Sequence, residues 1–157
     1  MRAVIQRVTH ATVTVEGAAI AAIGPGLAVL VGITHSDAEE DARYVAEKIL
    51  NMRLFPEEGQ EGGFERTALE IGADVLLVSQ FTLYGSTRKG RRPGFTEAAP
   101  AAISGPMFER VVDTFRASGL KVESGRFGAY MLVEFENAGP ATIVLDSGDR
   151  KLPRRGA

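Results

Sequence analysis

The sequence contains no cysteine and only two histidines, His10 and His35. Without a thiol, disulfides, cysteine nucleophiles and cysteine-ligated zinc are all excluded. A histidine-based metal site would need both imidazoles together with carboxylates, so a metal-dependent hydrolase fits poorly and no metal or other cofactor is expected. The GxSxG elbow of a classical serine hydrolase is missing too. No stretch approaches the ~18 apolar residues of a membrane span. The opening MRAVIQRV has no long apolar core followed by a small-residue cleavage site. A cytoplasmic protein without membrane contact is therefore expected. The formal net charge of −2 argues against wholesale coating of a polyanion but permits a local basic patch.

What is present suits one globular domain. The 157 residues are 45% hydrophobic and 24% charged, enough to bury a real core. The first third reads as strands over Ala3–Val8, Ala11–Val15 and Ala19–Ile23. A continuous apolar run over Leu27–Ile33 then suggests a strand covered on both faces. In SDAEEDARYVAEKILNM, Ser36 and Glu39 form a capping-box pattern, and Ala42, Val45, Ala46, Ile49 and Leu50 fall on one helical face. Residues 56 to 64 read as a polar loop, and Asp74–Leu83 as a strong strand. A second amphipathic helix is expected over Pro106–Ser118, with proline in its first turn and Gly119 as C-cap. The last strands, Ala129–Glu136 and Thr142–Asp146, are joined through Asn137-Ala138-Gly139-Pro140, and a basic flexible tail is expected over 148–157. This order gives a single α+β domain with two main helices.

Four features carry chemistry. Ser79, Gln80 and Thr82 end an otherwise apolar strand, where they could hold a substrate or simply bond neighbouring backbone. Arg88, Lys89, Arg91 and Arg92 lie within RKGRRPGF with no acid among them, which suits phosphate or a solvated loop equally. Phe95 beside them could stack on a base, but a core position is the commoner fate. Arg7 interrupts an apolar strand, and solvent is the default destination for such a charge. Gly139-Pro140 is either an ordinary trans turn or a cis bond that turns consecutive carbonyls to one side as rigid acceptors for an amine. His10 and His35 read as surface residues. Lys121, Arg126 and the basic residues of the tail could extend the basic patch.

Taken in order, MRAVIQRVTHATVTVEG, IGPGLAVLVGI, VSQFTL, KGRRPGF, GRFGAYM and NAGPAT resemble the D-aminoacyl-tRNA deacylase family over nearly the whole chain. The resemblance implies a β-barrel-like domain over residues 1–147 and a homodimer with active sites at the subunit interface. It implies that Ser79, Gln80, Phe81 and Thr82 form the catalytic stretch. Gly139 and Pro140 would act as a chirality filter reaching into the partner's pocket, with Arg7 bracing them from beneath. Arg88, Lys89, Arg91 and Arg92 would contact tRNA. The expected substrates are D-aminoacyl-tRNA and glycyl-tRNA, with the ribose 2′-hydroxyl assisting. A non-catalytic tRNA- or RNA-binding protein is the competing expectation. The chain departs from the family pattern at Ala138 and Ala141, at Ser86 and Thr87, and at Phe64-Glu65.

Overall fold

The computed structural model describes residues 1–152. Three strands, β1 (Arg2–Val15), β2 (Ala18–Ile23) and β3 (Gly26–Gly32), lead into α1 (Glu39–Asn51). The short strands β4 (Arg53–Phe55) and β5 (Arg66–Thr67) and the one-turn α2 (Ala68–Ile71) come next. They are followed by β6 (Asp74–Ser79), α3 (Ala101–Arg116), β7 (Val122–Ser124) and β8 (Leu132–Asp146). No helix among the described residues is long and apolar enough to cross a membrane.

β1 organises the sheet. One of its edges pairs antiparallel with β8 along nearly its whole length. The other edge pairs first with β3 and then with β2, and β6 and β7 extend the sheet in parallel beyond β3. The result is a nearly closed, barrel-like sheet in a single α+β domain. Leu27, Val29 and Val31 of β3 face the core beneath α1 and α3, whereas Ala28 and Leu30 face a second apolar cluster with Leu76 and Val78. Burial on both faces explains why this strand reads as an unbroken apolar run. Each fully buried leucine or isoleucine here contributes roughly 1.5–3 kcal/mol.

Ala42, Val45, Ala46, Ile49 and Leu50 are all buried on one face of α1, as the spacing predicts. The cap differs from expectation. Ala38 occupies the N-cap, and the Asp41 carboxylate reaches back to accept from the Ala38 amide at 3.0 Å, in place of the Ser36–Glu39 pair. α3 begins at Ala101, five residues before the expected start, so Pro106 lies inside it. A proline within a helix removes one hydrogen bond, typically at a cost of about 3 kcal/mol. Burial of Phe108, Val111, Val112 and Phe115 outweighs that loss. Gly119 adopts a φ of +81° just past the helix end, as a C-terminal glycine should.

The strongest departure concerns residues 131–146. They form no hairpin. β8 is one strand of 15 residues lying against β1, and β1 likewise merges the two segments expected at 3–8 and 11–15. Gln6 faces Thr142 and Val8 faces Asn137, so residues 138–141 bulge out opposite Arg7 alone. The bulge marks a change of core. Ala3, Ile5, Ile143 and Leu145 pack beneath the helices, whereas Val8, Ala11, Val13, Val133 and Phe135 pack in the second cluster. A strand with strict alternation cannot switch faces without such an irregularity.

The tail is also more ordered at its start than expected. Ser147–Lys151 form a 3-10 turn, and Arg150 pairs with Asp41 at 3.1 Å. Ser147 Oγ donates to Asp41 at 2.7 Å and accepts from the Met1 amino group at 2.8 Å. Residues 153–157 of the expected flexible tail lie outside the described residues.

Candidate active site

The apolar run of β6 stops at Ser79, opposite Val31, and the Gln80 amide makes the last rung by donating to the Val31 carbonyl at 2.8 Å. β3 ends at Gly32, so the ladder runs out and the chain folds into a 3-10 turn over Phe81–Tyr84 instead of continuing as the expected strand. Leu83 N–H donates to the Gln80 carbonyl at 3.2 Å, and Gly85 N–H to the Thr82 carbonyl at 2.9 Å. The Phe81 and Thr82 amides precede these bonds and have no acceptor within the turn. Gly32 lets the turn lie close: a Cβ there would stand 2.9 Å from Leu83 Cβ and 3.0 Å from the Gln80 carbonyl oxygen. Tyr84 anchors the buried side. Burial first, then the Asp37 and Asp146 carboxylates, push its phenol well above the ordinary range, so it serves as a neutral wedge.

Beside the turn lies a cavity of about 570 Å³. Ser79, Gln80 and Phe81 line one side, and Phe127, Tyr130 and Met131 another. Apolar side chains of β3, β6 and the start of α3 complete it, a lining suited to a small organic group held by few polar contacts. Phe81 is exposed and meets Phe95 edge-on, with ring centroids 5.0 Å apart. Phe95 is therefore a cavity residue and not the core residue expected. Thr82 stands outside the lining, exposed, its hydroxyl accepting from the Gln80 side-chain amide. His10 and His35 are exposed and outside the lining, and His35 Nε2 donates to the Thr96 carbonyl at 3.0 Å.

The basic residues sit on the same rim. Ser86 and Gly94 exchange backbone bonds of 2.7 and 2.9 Å, closing residues 87–93 into a projecting loop that leaves from the 3-10 turn and returns at Phe95. Arg88, Lys89, Arg91 and Arg92 are all exposed on it, and none forms an ion pair among the described residues. Lys121 and Arg150, by contrast, are engaged with Asp74 and Asp41.

The bulge opposite Arg7 is a second polar structure. Arg7 is only 6% exposed, contrary to the default of a solvated arginine. Its Nε donates to the Ala138 carbonyl at 2.9 Å, and its Nη1 to Leu54 and Gly63 carbonyls at 2.7 and 2.9 Å. The Phe64 ring lies 5.4 Å from the guanidinium carbon. Backbone carbonyls from three segments thus replace the hydration of a buried charge that has no carboxylate partner among the described residues. Gly139 and Pro140, joined by a cis peptide, are exposed at the tip. Gly139 has a φ of +128°, and a Cβ there would stand 2.6 Å from Arg7 Nη2, so glycine alone fits.

Asn137 and Thr142, which bound the NAGPAT stretch, hold the bulge together with Gln6, a residue given no role by the sequence reading. Asn137 Oδ1 accepts from the Ala141 amide at 2.7 Å, while its Nδ2 donates to Gln6 at 2.7 Å and to the Thr142 hydroxyl at 3.1 Å. The only hint of Gln6 in the sequence is that it adjoins Arg7 in an apolar strand. None of residues 137–142 lines the cavity of its own chain. The structure therefore brings Ser79, Gln80 and Phe81 together with the rim of the basic loop, but holds Gly139-Pro140 apart from them.

Comparison with known proteins agrees across the chain. The family model described as D-Tyr-tRNA(Tyr) deacylase matches residues 4–146. A D-aminoacyl-tRNA deacylase of Bacillus velezensis is 51% identical over 94% of this chain and 99% of its own. That of Heliobacterium modesticaldum is 53% identical over 93% and 96%. Among solved structures, a c-Myc DNA unwinding element binding protein superposes with a TM-score of 0.86 at 38% identity, covering 93% of this chain and 98% of its own. The chain belongs to the D-Tyr-tRNA(Tyr) deacylase family of hydrolytic enzymes.

Proposed function

We propose that the enzyme hydrolyses the ester joining a D-amino acid to the terminal ribose of tRNA, and that it also accepts glycyl-tRNA. Water adds to the acyl carbon, the ester C–O bond breaks, and free amino acid and tRNA are released. This is a chiral proofreading step for translation. The observation that carries the reading is a separation. One chain holds the turn with its cavity and the Gly139-Pro140 bulge in different places, each exposed and each rigidly supported. A second copy of the chain completes the site by bringing its bulge to the first copy's cavity.

In that dimer the Phe81 and Thr82 amides bear on the oxygen that develops negative charge. Gln80 orients Thr82, and the ribose 2′-hydroxyl assists in place of a side-chain nucleophile. The bulge carbonyls accept the α-amino group of the D ester. An L side chain would run into the bulge, whereas glycine has none and passes. Arg7 and Asn137 keep the bulge from yielding. The four free cations of the basic loop meet phosphates of the acceptor stem, giving attraction with little sequence preference.

The test is deacylation of D-tyrosyl-, L-tyrosyl- and glycyl-tRNA by purified, chelator-treated protein. Loss of the D and glycyl esters with the L ester spared is expected. Equal loss of all three removes the filter, and binding of tRNA without turnover leaves only an RNA-binding protein.

A further inference from the structure

We infer that Arg2 is a positioning residue for the reaction, fixing the turn that carries Phe81 and Thr82 through a carbonyl and a ring on its far side. The inference rests on the hydrolytic reading above and adds to it a residue outside the Ser79–Thr82 stretch, the bulge and the basic loop. Arg2 Nη1 donates to the Leu83 carbonyl at 3.1 Å, and Arg2 Nε donates to Asp146 Oδ2 at 3.0 Å. Its guanidinium carbon lies 4.5 Å from the centroid of the Tyr84 ring. One side chain at the start of β1 therefore holds the last two residues of the turn and is itself held by the last residue of β8.

The turn needs that hold. A 3-10 segment of only four residues closes on itself by short i to i+3 bonds, and its geometry is softer than that of an α-helix. Gly32 removes the obstacle on one side of it, and the cavity lies on another, so neither contact pulls the turn into register. Arg2 supplies the directional contact. A planar guanidinium suits this triple task, because it can donate along two edges while stacking a ring on its face. Sites that stabilise a transition state tolerate displacements of only about 0.5 Å.

The same contacts contribute little to global stability. The Arg2 and Asp146 side chains are 40% and 36% exposed, and such pairs contribute at most about 1 kcal/mol. Arg2→Ala should accordingly fold and dimerise like the unaltered chain, which leaves kinetics as a clean readout.

The experiment compares the full chain with Arg2→Ala, Arg2→Lys and Asp146→Asn, using D-tyrosyl-tRNA and L-tyrosyl-tRNA. For Arg2→Ala we expect kcat to fall about fivefold to twentyfold with KM changed less than about twofold, the pattern of an interaction needed only in the transition state. The ratio of D to L turnover should stay constant, because the bulge is untouched. Arg2→Lys should recover part of kcat through a single donor, and Asp146→Asn, which spares the Leu83 bond, should cost less than Arg2→Ala. A kcat for Arg2→Ala within twofold of the unaltered chain overturns the inference. So does a raised KM at constant kcat, which would make Arg2 a contact to tRNA. An unaltered chain that shows no turnover overturns the hydrolytic reading and this inference with it, whereas an active chain indifferent to Arg2 overturns the inference alone.

Discussion

The turn at Phe81–Tyr84 and the bulge at Asn137–Thr142 are both places where a strand ladder breaks and exposes backbone, yet they are held in opposite ways. The turn is shaped mainly by space and packing, with Arg2 as a single half-exposed donor to it: Gly32 leaves room for it, and buried Tyr84 wedges its far end. The bulge is held by directed hydrogen bonds, from Arg7 to Ala138 and around Asn137 to Gln6, Ala141 and Thr142. A structure held by packing fails when atoms are added. One held by a buried charge fails when a donor is taken away. The two regions should therefore respond to different substitutions and with different symptoms.

Removing the donor gives the largest expected effect. Arg7→Ala leaves the Ala138, Leu54 and Gly63 carbonyls without their partner and opens a gap between the two cores. It should cost about 3 kcal/mol or more of stability, read as a lowered midpoint in denaturant, and about 100-fold in turnover of the D ester. Arg7→Lys should restore little, since one ammonium cannot reach three carbonyls along a fork.

Gly139→Ala comes next. Its Cβ would press on Arg7 Nη2, and its φ of +128° suits no L side chain. Turnover of D-tyrosyl-tRNA should drop about tenfold to 100-fold, with a narrower ratio of D to L hydrolysis in the same assay. Gly32→Ala sharpens the contrast from the other side. Adding a methyl group beneath the turn should lower kcat about tenfold while leaving the ratio of D to L turnover unchanged.

Acid separates the regions most gently. Asp146 and Asp41 both have pKa values below their ordinary range. Burial opposes ionisation in each, but is outweighed for Asp146 by the Gly148 amide and Arg2, and for Asp41 by the Ala38 amide, Ser147 and Arg150. A carboxylate depressed in the folded state contributes stability above its unfolded value and loses it as pH falls through the folded one. The melting temperature should therefore decline below about pH 4, and Asp41→Asn should flatten that decline. The grip of Arg7 involves no carboxylate, so the ratio of D to L turnover should hold across the same range.

These contrasts also explain what the sequence made legible. Helix α1 was readable because its face is set by residues three and four apart. The change at Ser79 was readable because polar residues ending an apolar strand stand out locally, although the expected strand ran on to Leu83 where the chain in fact turns. Residues 131–146 were not, since Gly-Pro between two β-like runs looks alike in a hairpin and in a bulge. The choice belongs to β1, which supplies the continuous partner from the other end of the chain. The default of a solvated arginine fails for Arg7 because its three acceptors come from residues 54, 63 and 138, none of which marks itself as a receptor for charge; only the family resemblance pointed to a bracing role. Phe95 lines the cavity because the backbone pair Ser86–Gly94 returns the loop there, again a contact invisible to periodicity.

The central claim is that the turn of one copy works with the bulge of the other, and mixing two damaged chains tests it most directly. Gly32→Ala damages the turn and Gly139→Ala the bulge, and the two variants are unfolded together, refolded and assayed on D-tyrosyl-tRNA. If the site is shared, each mixed dimer holds one site with both lesions and one with neither. Activity should then return to about a quarter of that of the unaltered protein. If turn and bulge serve the same site within one chain, every site keeps one lesion, and activity no higher than the average of the two variants would contradict the claim.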